Sequence, residues 1–313
     1  MPHATLVTGA AGFAGGHLLE LIVGSGGSDE IVAWHRPGRE QLPTFDGRVR
    51  WEAVDVLDRA AVRGSVARDK PAAVYHCAGA AHVGRAWDST DTTFAVNVRG
   101  THYLLDALER ASVEATVLIP SSALVYTPAD RPLTEHDPLV PSSPYGLSKL
   151  AQEMLAHHAG RGVTVTVARA FNHVGARQHP YFAASGFARR IADIEKGRWE
   201  PAISVGNLDA RRDFTDVRDT VRAYRLILEH GAAGEAFNVC SGVALGIGEL
   251  LDRLIARARV PVSIKVDAAR YRPNDVPLLV GDPAKIREQL GWAPAIPLER
   301  TLDDLLEYWR RQE

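Results

Sequence analysis

A doubly wound α/β fold is predicted by three observations: short apolar runs bounded by turns, helical patterns between them, and a glycine-rich turn directly after the first run. Residues 4–8 read as a buried strand, and after the glycines an apolar-periodic helix covers about 15–23. Further strands are expected over 30–34, 49–54, 72–77, 115–120 and 163–170. Helices are expected after Asp58, over 90–110 and from Pro144. A strand that returns through a helix lies parallel to its predecessor, so this alternation implies a parallel sheet covered on both faces. Beyond residue 170 the rhythm loosens. A helix near 185–196, a short strand near Ile203, an arginine-rich stretch over 211–218, a strand over 237–240, a helix over 247–258 and a last helix from Leu298 are expected. This divides the chain into a sheet domain over 1–170, to which 211–242 return, and a smaller C-terminal lobe from 171–210 and 243–313.

The 313 residues suit one large α/β unit with a smaller lobe, and 46% hydrophobic against 24% charged residues is ordinary globular composition. A net charge of −2 gives no general attraction for nucleic acid or an anionic membrane, so an anionic ligand must be held by local basic groups. The two cysteines, Cys77 and Cys240, sit in apolar runs and read as buried thiols, which excludes a disulfide framework. The histidines are scattered without ligand spacing, so no metal is expected. No leader pattern precedes the first strand and no apolar stretch reaches the roughly 18 residues of a membrane span, so the expected compartment is the cytoplasm.

Thr8-Gly-Ala-Ala-Gly-Phe-Ala-Gly15 places Gly9, Gly12 and Gly15 three apart, with Phe13 between them, where a strand turns into a helix. Small residues let the backbone approach a pyrophosphate, and the helix N-terminus offers N–H groups and partial positive charge. The fold predicted is therefore a Rossmann-type doubly wound parallel sheet with a smaller C-terminal substrate-binding lobe. The second strand ends Trp34-His35-Arg36, with no carboxylate to hold a ribose 2′-hydroxyl. Arg36 can hold a 2′-phosphate instead, so NADP is expected, with NAD the alternative, unless Arg36 is an ordinary solvated residue. Asp55 and Val56 can hold the adenine rim, and Cys77, Ala78, Gly79 and Ala81 permit close approach of ribose and phosphate; either segment could also be a plain turn.

Tyr145-Gly-Leu-Ser-Lys149 opens a helix, and residues four apart share one helical face. The segment follows the fifth strand, whose end carries Ser121-Ser122, and ligands of open α/β sheets sit beyond the carboxyl ends of the strands. A phenol beside an ammonium and an oxidised nicotinamide is expected to exchange a proton near neutral pH, while a serine hydroxyl fixes the reacting oxygen.

With Asn97-Val-Arg-Gly100 and Ser121-Ser-Ala-Leu-Val-Tyr126, these motifs make the chain resemble the extended short-chain dehydrogenase/reductase family over nearly its whole length. The resemblance selects Ser122 over Ser121 as the catalytic serine, with Tyr145 and Lys149. It places Asn97, which supports the active-site helix and its water network, and Phe171 on the cofactor side. Arg169-Ala-Phe-Asn-His173, residues 206–216, Asn238-Val-Cys-Ser-Gly242, Tyr271-Arg-Pro273 and Gly281-Asp-Pro283 narrow the resemblance to the GDP-mannose 4,6-dehydratase and GDP-4-keto-6-deoxymannose reductase group. It implies a nucleotide-diphosphate sugar substrate, with Asn172 at the sugar diphosphate, Arg212 and Arg272 on its phosphates and Asp275 near the nucleoside; Arg212 could instead pair with Asp213 or Asp216. It also implies a homodimer through the helices over 90–110 and 144–160. The dehydratases carry a glutamate two residues after the catalytic serine or threonine, where this chain has Leu124, and a lysine where it has Gly186. A 4-keto-6-deoxyhexose reductase is therefore expected. A 4-epimerase using the same residues, a 4,6-dehydratase with another base and a catalytically dead dinucleotide sensor are the competing readings.

Overall fold

The computed structural model describes residues 4–26, 30–39, 42–45, 47–267 and 276–312. The first half runs β1 (Thr5–Thr8), α1 (Phe13–Gly24), β2 (Ile31–His35), β3 (Val49–Ala53), α2 (Arg59–Asp69), β4 (Ala73–His76), α3 (Val83–Asp88), α4 (Thr90–Phe94), α5 (Gly100–Arg110), β5 (Ala115–Ser122), α6 (Pro144–His157) and β6 (Val163–Ala170). The second half runs β7 (Asn172–Val174), α7 (Ala183–Glu195), β8 (Ala202–Val205), β9 (Arg211–Asp216), α8 (Val217–His230), β10 (Ala236–Val239), β11 (Ala244–Gly246), α9 (Ile247–Ile255), β12 (Ser263–Val266), β13 (Leu278–Leu279), α10 (Ala284–Leu290) and α11 (Leu298–Arg311).

Seven strands form one parallel sheet in the order β10-β6-β5-β4-β1-β2-β3. Successive side chains point to opposite faces, so within β1 Leu6 enters one core and Val7 the other. The first core packs Val62 and Val66 of α2 with Leu104 and Leu108 of α5; the second packs Leu18 and Leu19 of α1 with Val221, Tyr224 and Ile227 of α8 and with Trp292. The strand order reverses between β1 and β4, which opens a crevice at their carboxyl ends.

The smaller lobe has its own core, where Ala188 and Ile191 of α7, Leu250 and Leu254 of α9 and Leu302, Leu305 and Leu306 of α11 meet Val205 and Phe214. A second sheet runs β11-β9-β13, with β7 also paired to β9, and β8 pairs with β12. Of residues 211–242, α8 and β10 pack into the main sheet, whereas β9 belongs to the second sheet.

Two departures from expectation stand out. The helix expected over 90–110 is interrupted by a π-helical turn, Ala95–Arg99. The arginine-rich stretch runs on into α8, a full helix burying Val217, Val221, Tyr224, Ile227 and Leu228; Arg218, Arg222 and Arg225 line its partly exposed side and obscure the apolar stripe.

Candidate active site

Chain geometry alone explains the glycines of the first turn. Gly9 has φ +62°, and a Cβ there would stand 2.6 Å from Ala78 N; a Cβ on Gly15 would stand 2.3 Å from Gly9 O. The turn thus presses against the tip of β4 at the crevice. Gly12 caps α1 without a side-chain hydrogen bond, leaving the start of a 12-residue helix clear of side-chain caps. Phe13 stacks on His173 at 5.7 Å and meets His17 edge-on, which ties the turn to β7.

Around this turn lie the other residues expected at the cofactor. Arg36 is exposed just past β2, its carbonyl hydrogen-bonded to His35 Nδ1 at 3.0 Å, and its guanidinium has no hydrogen-bond or ion-pair partner among the described residues. Asp55 is half-buried and accepts Leu57 N–H at 2.9 Å, while Val56 is buried against Gly100. Gly79 and Ala81 are exposed at the β4 tip, with Cys77 and Ala78 half-buried beneath them. Burial pushes the Cys77 thiol up to about 12, so it stays an unreactive thiol.

β5 runs to Ser122, two residues further than the pattern indicated, and its alternation separates the two serines. Ser121 Oγ donates to buried Glu153. Ser122 Oγ accepts Leu124 N–H at 3.2 Å and interacts with the Tyr145 phenol. Helix α6 starts at a proline, with Ser143 Oγ accepting Gly146 N–H at 3.1 Å. A Cβ on Gly146 would lie 2.3 Å from Leu124 O, so only glycine lets α6 dock this close to the end of β5. Tyr145 and Lys149 are both buried at this junction. Lys149 Nζ donates to Pro120 O at 2.8 Å and Gln152 Oε1 at 2.9 Å, and a Cβ on Gly79 would stand 3.7 Å from it. The lysine therefore reaches the β4 tip, beside the glycine turn.

Burial sets the electrostatics. It lowers Lys149 from 10.5 to about 8, with Cys77 and Glu153 pulling the other way. It pushes Tyr145 up to about 12 against the interaction with Ser122, so the phenol is protonated at neutral pH. Desolvation here outweighs the Ser122 interaction, so the phenol itself holds its proton; the exchange expected near neutrality belongs to the site with an oxidised nicotinamide beside it.

Two further residues that the resemblance placed on the cofactor side are buried. Asn97 is wholly buried in the π-helical turn; its amide donates to Ala80 O and Ser148 Oγ and accepts Ala80 N–H, so it braces the β4 loop against α6. Phe171 is buried with Val125, Leu133, Cys240 and Leu279, and a Cβ on Gly281 would stand 2.6 Å from its ring. Asn172 is exposed at the start of β7, opposite Phe214 of β9. Arg212 is half-buried on β9, its Nη1 donating to Arg211 O. Arg272 and Asp275 lie outside the described residues.

The model of the GDP-mannose 4,6 dehydratase family matches residues 6–305. The chain belongs to that family. It is 35% identical over 314 residues to the GDP-6-deoxy-D-mannose reductase of Pseudomonas aeruginosa, covering 99% of this chain and 98% of that one. The solved structure of RMD from Pseudomonas aeruginosa complexed with NADPH superposes with a TM-score of 0.85 at 32% identity, covering 98% and 99% of the two chains. A UDP-glucose 4-epimerase structure with UDP-glucose, from Thermotoga maritima, superposes with a TM-score of 0.86 at 25% identity, covering 98% and 99%. The chain is thus a short-chain dehydrogenase/reductase enzyme of nucleotide-sugar chemistry.

Within this family the two departures in the chain have physical consequences. Leu124 packs into the apolar cluster of Ala123, Val125 and Tyr126, and its side chain cannot move a proton. At Gly186 a Cβ would stand 2.7 Å from Pro180 O, so the backbone just before α7 leaves no room there for a lysine side chain. No helix among the described residues is long and apolar enough to cross a membrane, and no metal-ligating cluster occurs among them.

Missed in the sequence was a run of buried polar groups behind Lys149: Gln152, Thr101, His76 and Thr8. Two signals were available: a histidine inside the apolar run Val74-Tyr75-His76-Cys77, and a glutamine one turn beyond Lys149 on the same helix.

Proposed function

We propose that this chain is an NADPH-dependent reductase of a nucleotide-diphosphate 4-keto-6-deoxyhexose, GDP-linked by likeness to its reductase relative. The reading is supported chiefly by the Ser122–Tyr145 interaction at the β5–α6 junction, with Lys149 on the same helix reaching the β4 tip beside the glycine turn and Leu124 where elimination would need a carboxylate. The residues fit a dinucleotide: the turn at Gly9 and Gly15 has no space for side chains, and Arg36 is a cation without a partner among the described residues. Bound NADPH supplies the hydride. Tyr145, protonated at neutral pH, gives its proton to the C4 oxygen as the carbonyl is reduced. Ser122, whose oxygen already accepts Leu124 N–H, keeps its hydroxyl proton to donate to the same oxygen. The Lys149 ammonium stabilises the phenolate left behind. Asn172 and Arg212, on the paired strands β7 and β9, face the sugar diphosphate.

The test offers two substrates to the purified enzyme. NADPH should be consumed with GDP-4-keto-6-deoxymannose and not with GDP-mannose. Formation of a keto-sugar from GDP-mannose alone would identify a dehydratase, and interconversion of C4 epimers without added cofactor would identify an epimerase.

Arg36 selects the cofactor in this reading. Arg36→Ala should weaken NADPH binding about 10- to 100-fold, the equivalent of a charge-assisted hydrogen bond, and leave NADH unchanged. Equal losses for both cofactors in a fluorescence titration would remove Arg36 from the phosphate site. We also place the enzyme in the cytoplasm as a homodimer; the exposed Leu147 and Met154 of α6 support a partner on that helix, and a monomer by sedimentation would exclude it.

A further inference from the structure

Every member of the buried polar run behind Lys149 has its hydrogens assigned by its neighbours. Thr101 Oγ1 spends its proton on Asn97 O at 2.6 Å, so it can only accept from Gln152 Nε2 at 2.7 Å and from His76 Nε2 at 2.9 Å. The His76 proton is therefore on Nε2, and Nδ1 accepts from Thr8 Oγ1 at 2.9 Å. Thr8 Oγ1 in turn accepts Ala78 N–H at 3.1 Å, at the point where the glycine turn abuts the β4 tip. An ammonium has only donors, so the Gln152 amide must turn its oxygen to Lys149. Gln152, Thr101 and Thr8 are wholly buried and His76 is 2% exposed, so no water substitutes for a lost partner without rearrangement.

We propose that Gln152 is a positioning residue: anchored through Thr101 and His76 to the glycine turn, it aims the Lys149 ammonium and keeps it charged. The inference rests on the reading of Tyr145 and Lys149 as the catalytic pair. Two acceptors, Pro120 O and Gln152 Oε1, oppose the burial that depresses the lysine. The titratable groups around it are few. From the β4 end come His76, held neutral with its value lowered to about 3, and Cys77, held as a thiol; on α6 stand Tyr145 and Glu153, the latter paired with Arg169. A change at residue 152 is therefore read out by Lys149 itself.

The sign follows directly. Reduction needs the ammonium, so the rate falls as pH rises through its titration, near pH 8 in the free enzyme. Gln152→Met removes an acceptor and should move this alkaline limb of kcat down by about one pH unit. Gln152→Glu keeps the acceptor, adds negative charge and should move it up. Thr101→Val frees the glutamine without touching Lys149 and should move the limb the same way as Gln152→Met, by less. NADPH dissociation constants should stay within about threefold of wild type in all three. A limb that stays in place in the folded variants, or moves the same way with Met and Glu, would overturn the proposal. Tyr145→Phe and Lys149→Ala run alongside separate the two failures: activity retained there sinks the catalytic reading, whereas inactivity there with an unmoved limb sinks the role of Gln152 alone.

Discussion

Tyr145→Phe is expected to lower the rate of hydride transfer about 10²- to 10⁴-fold, the range removed with a positioned general acid. The substitution deletes one oxygen and keeps the ring, so packing of α6 against the end of β5 survives. Neither flanking donor is placed to replace the lost proton. Ser122 has an ordinary hydroxyl whose oxygen is tied to Leu124 N–H, and Lys149 is held by Pro120 O and Gln152 Oε1. The phenol's burial gives the expected direction of transfer: pushed up to about 12, it is a proton source throughout the neutral range. Single-turnover oxidation of NADPH measures the step, and a fluorescence titration should show cofactor affinity within about threefold of wild type. A variant that turns over within about fivefold of wild type would mean that another group protonates the sugar oxygen, since losing the donor should cost far more.

The parts of this site that were legible in the sequence are those set by local geometry. Gly9 and Gly15 stand where backbone passes backbone, so they are written as glycine whatever surrounds them. Tyr145 and Lys149 share a face because four residues nearly complete a turn. The strands of the main sheet were readable because both faces are buried and their runs are therefore apolar. What was not legible depends on packing depth and distant partners. The burial of Asn97, which braces α6 through Ser148, and of Phe171, in the cluster around Cys240, depends on such packing. The chain from Lys149 to Thr8 joins residues 8, 76, 101 and 152, separations over which spacing carries no information. The burial that raises the Tyr145 phenol was likewise not legible, since residue types alone indicate neighbours but not desolvation.

Arg169→Met is expected to cost about 3–5 kcal/mol of stability, because it strands a charge that has no route to water. Glu153 is 2% exposed, and Arg169 donates to both of its carboxylate oxygens while also donating to Tyr126 Oη at 3.0 Å and Glu135 O at 3.2 Å. Ser121, directly opposite Arg169 in the β5–β6 register, donates to the same carboxylate. The pair therefore fastens α6 to both strands beneath it, one residue from Gln152 and one turn from Lys149. Its loss should lower activity as well as stability, by loosening the helix that carries Tyr145. Urea unfolding of the single variant and of Glu153→Met/Arg169→Met separates the two contributions. Replacing both charges by apolar side chains of similar size removes the stranded carboxylate, so the double variant should recover most of the lost stability. If the single substitution costs less than about 1 kcal/mol, the carboxylate is not stranded and the ion pair does not hold the catalytic helix in place.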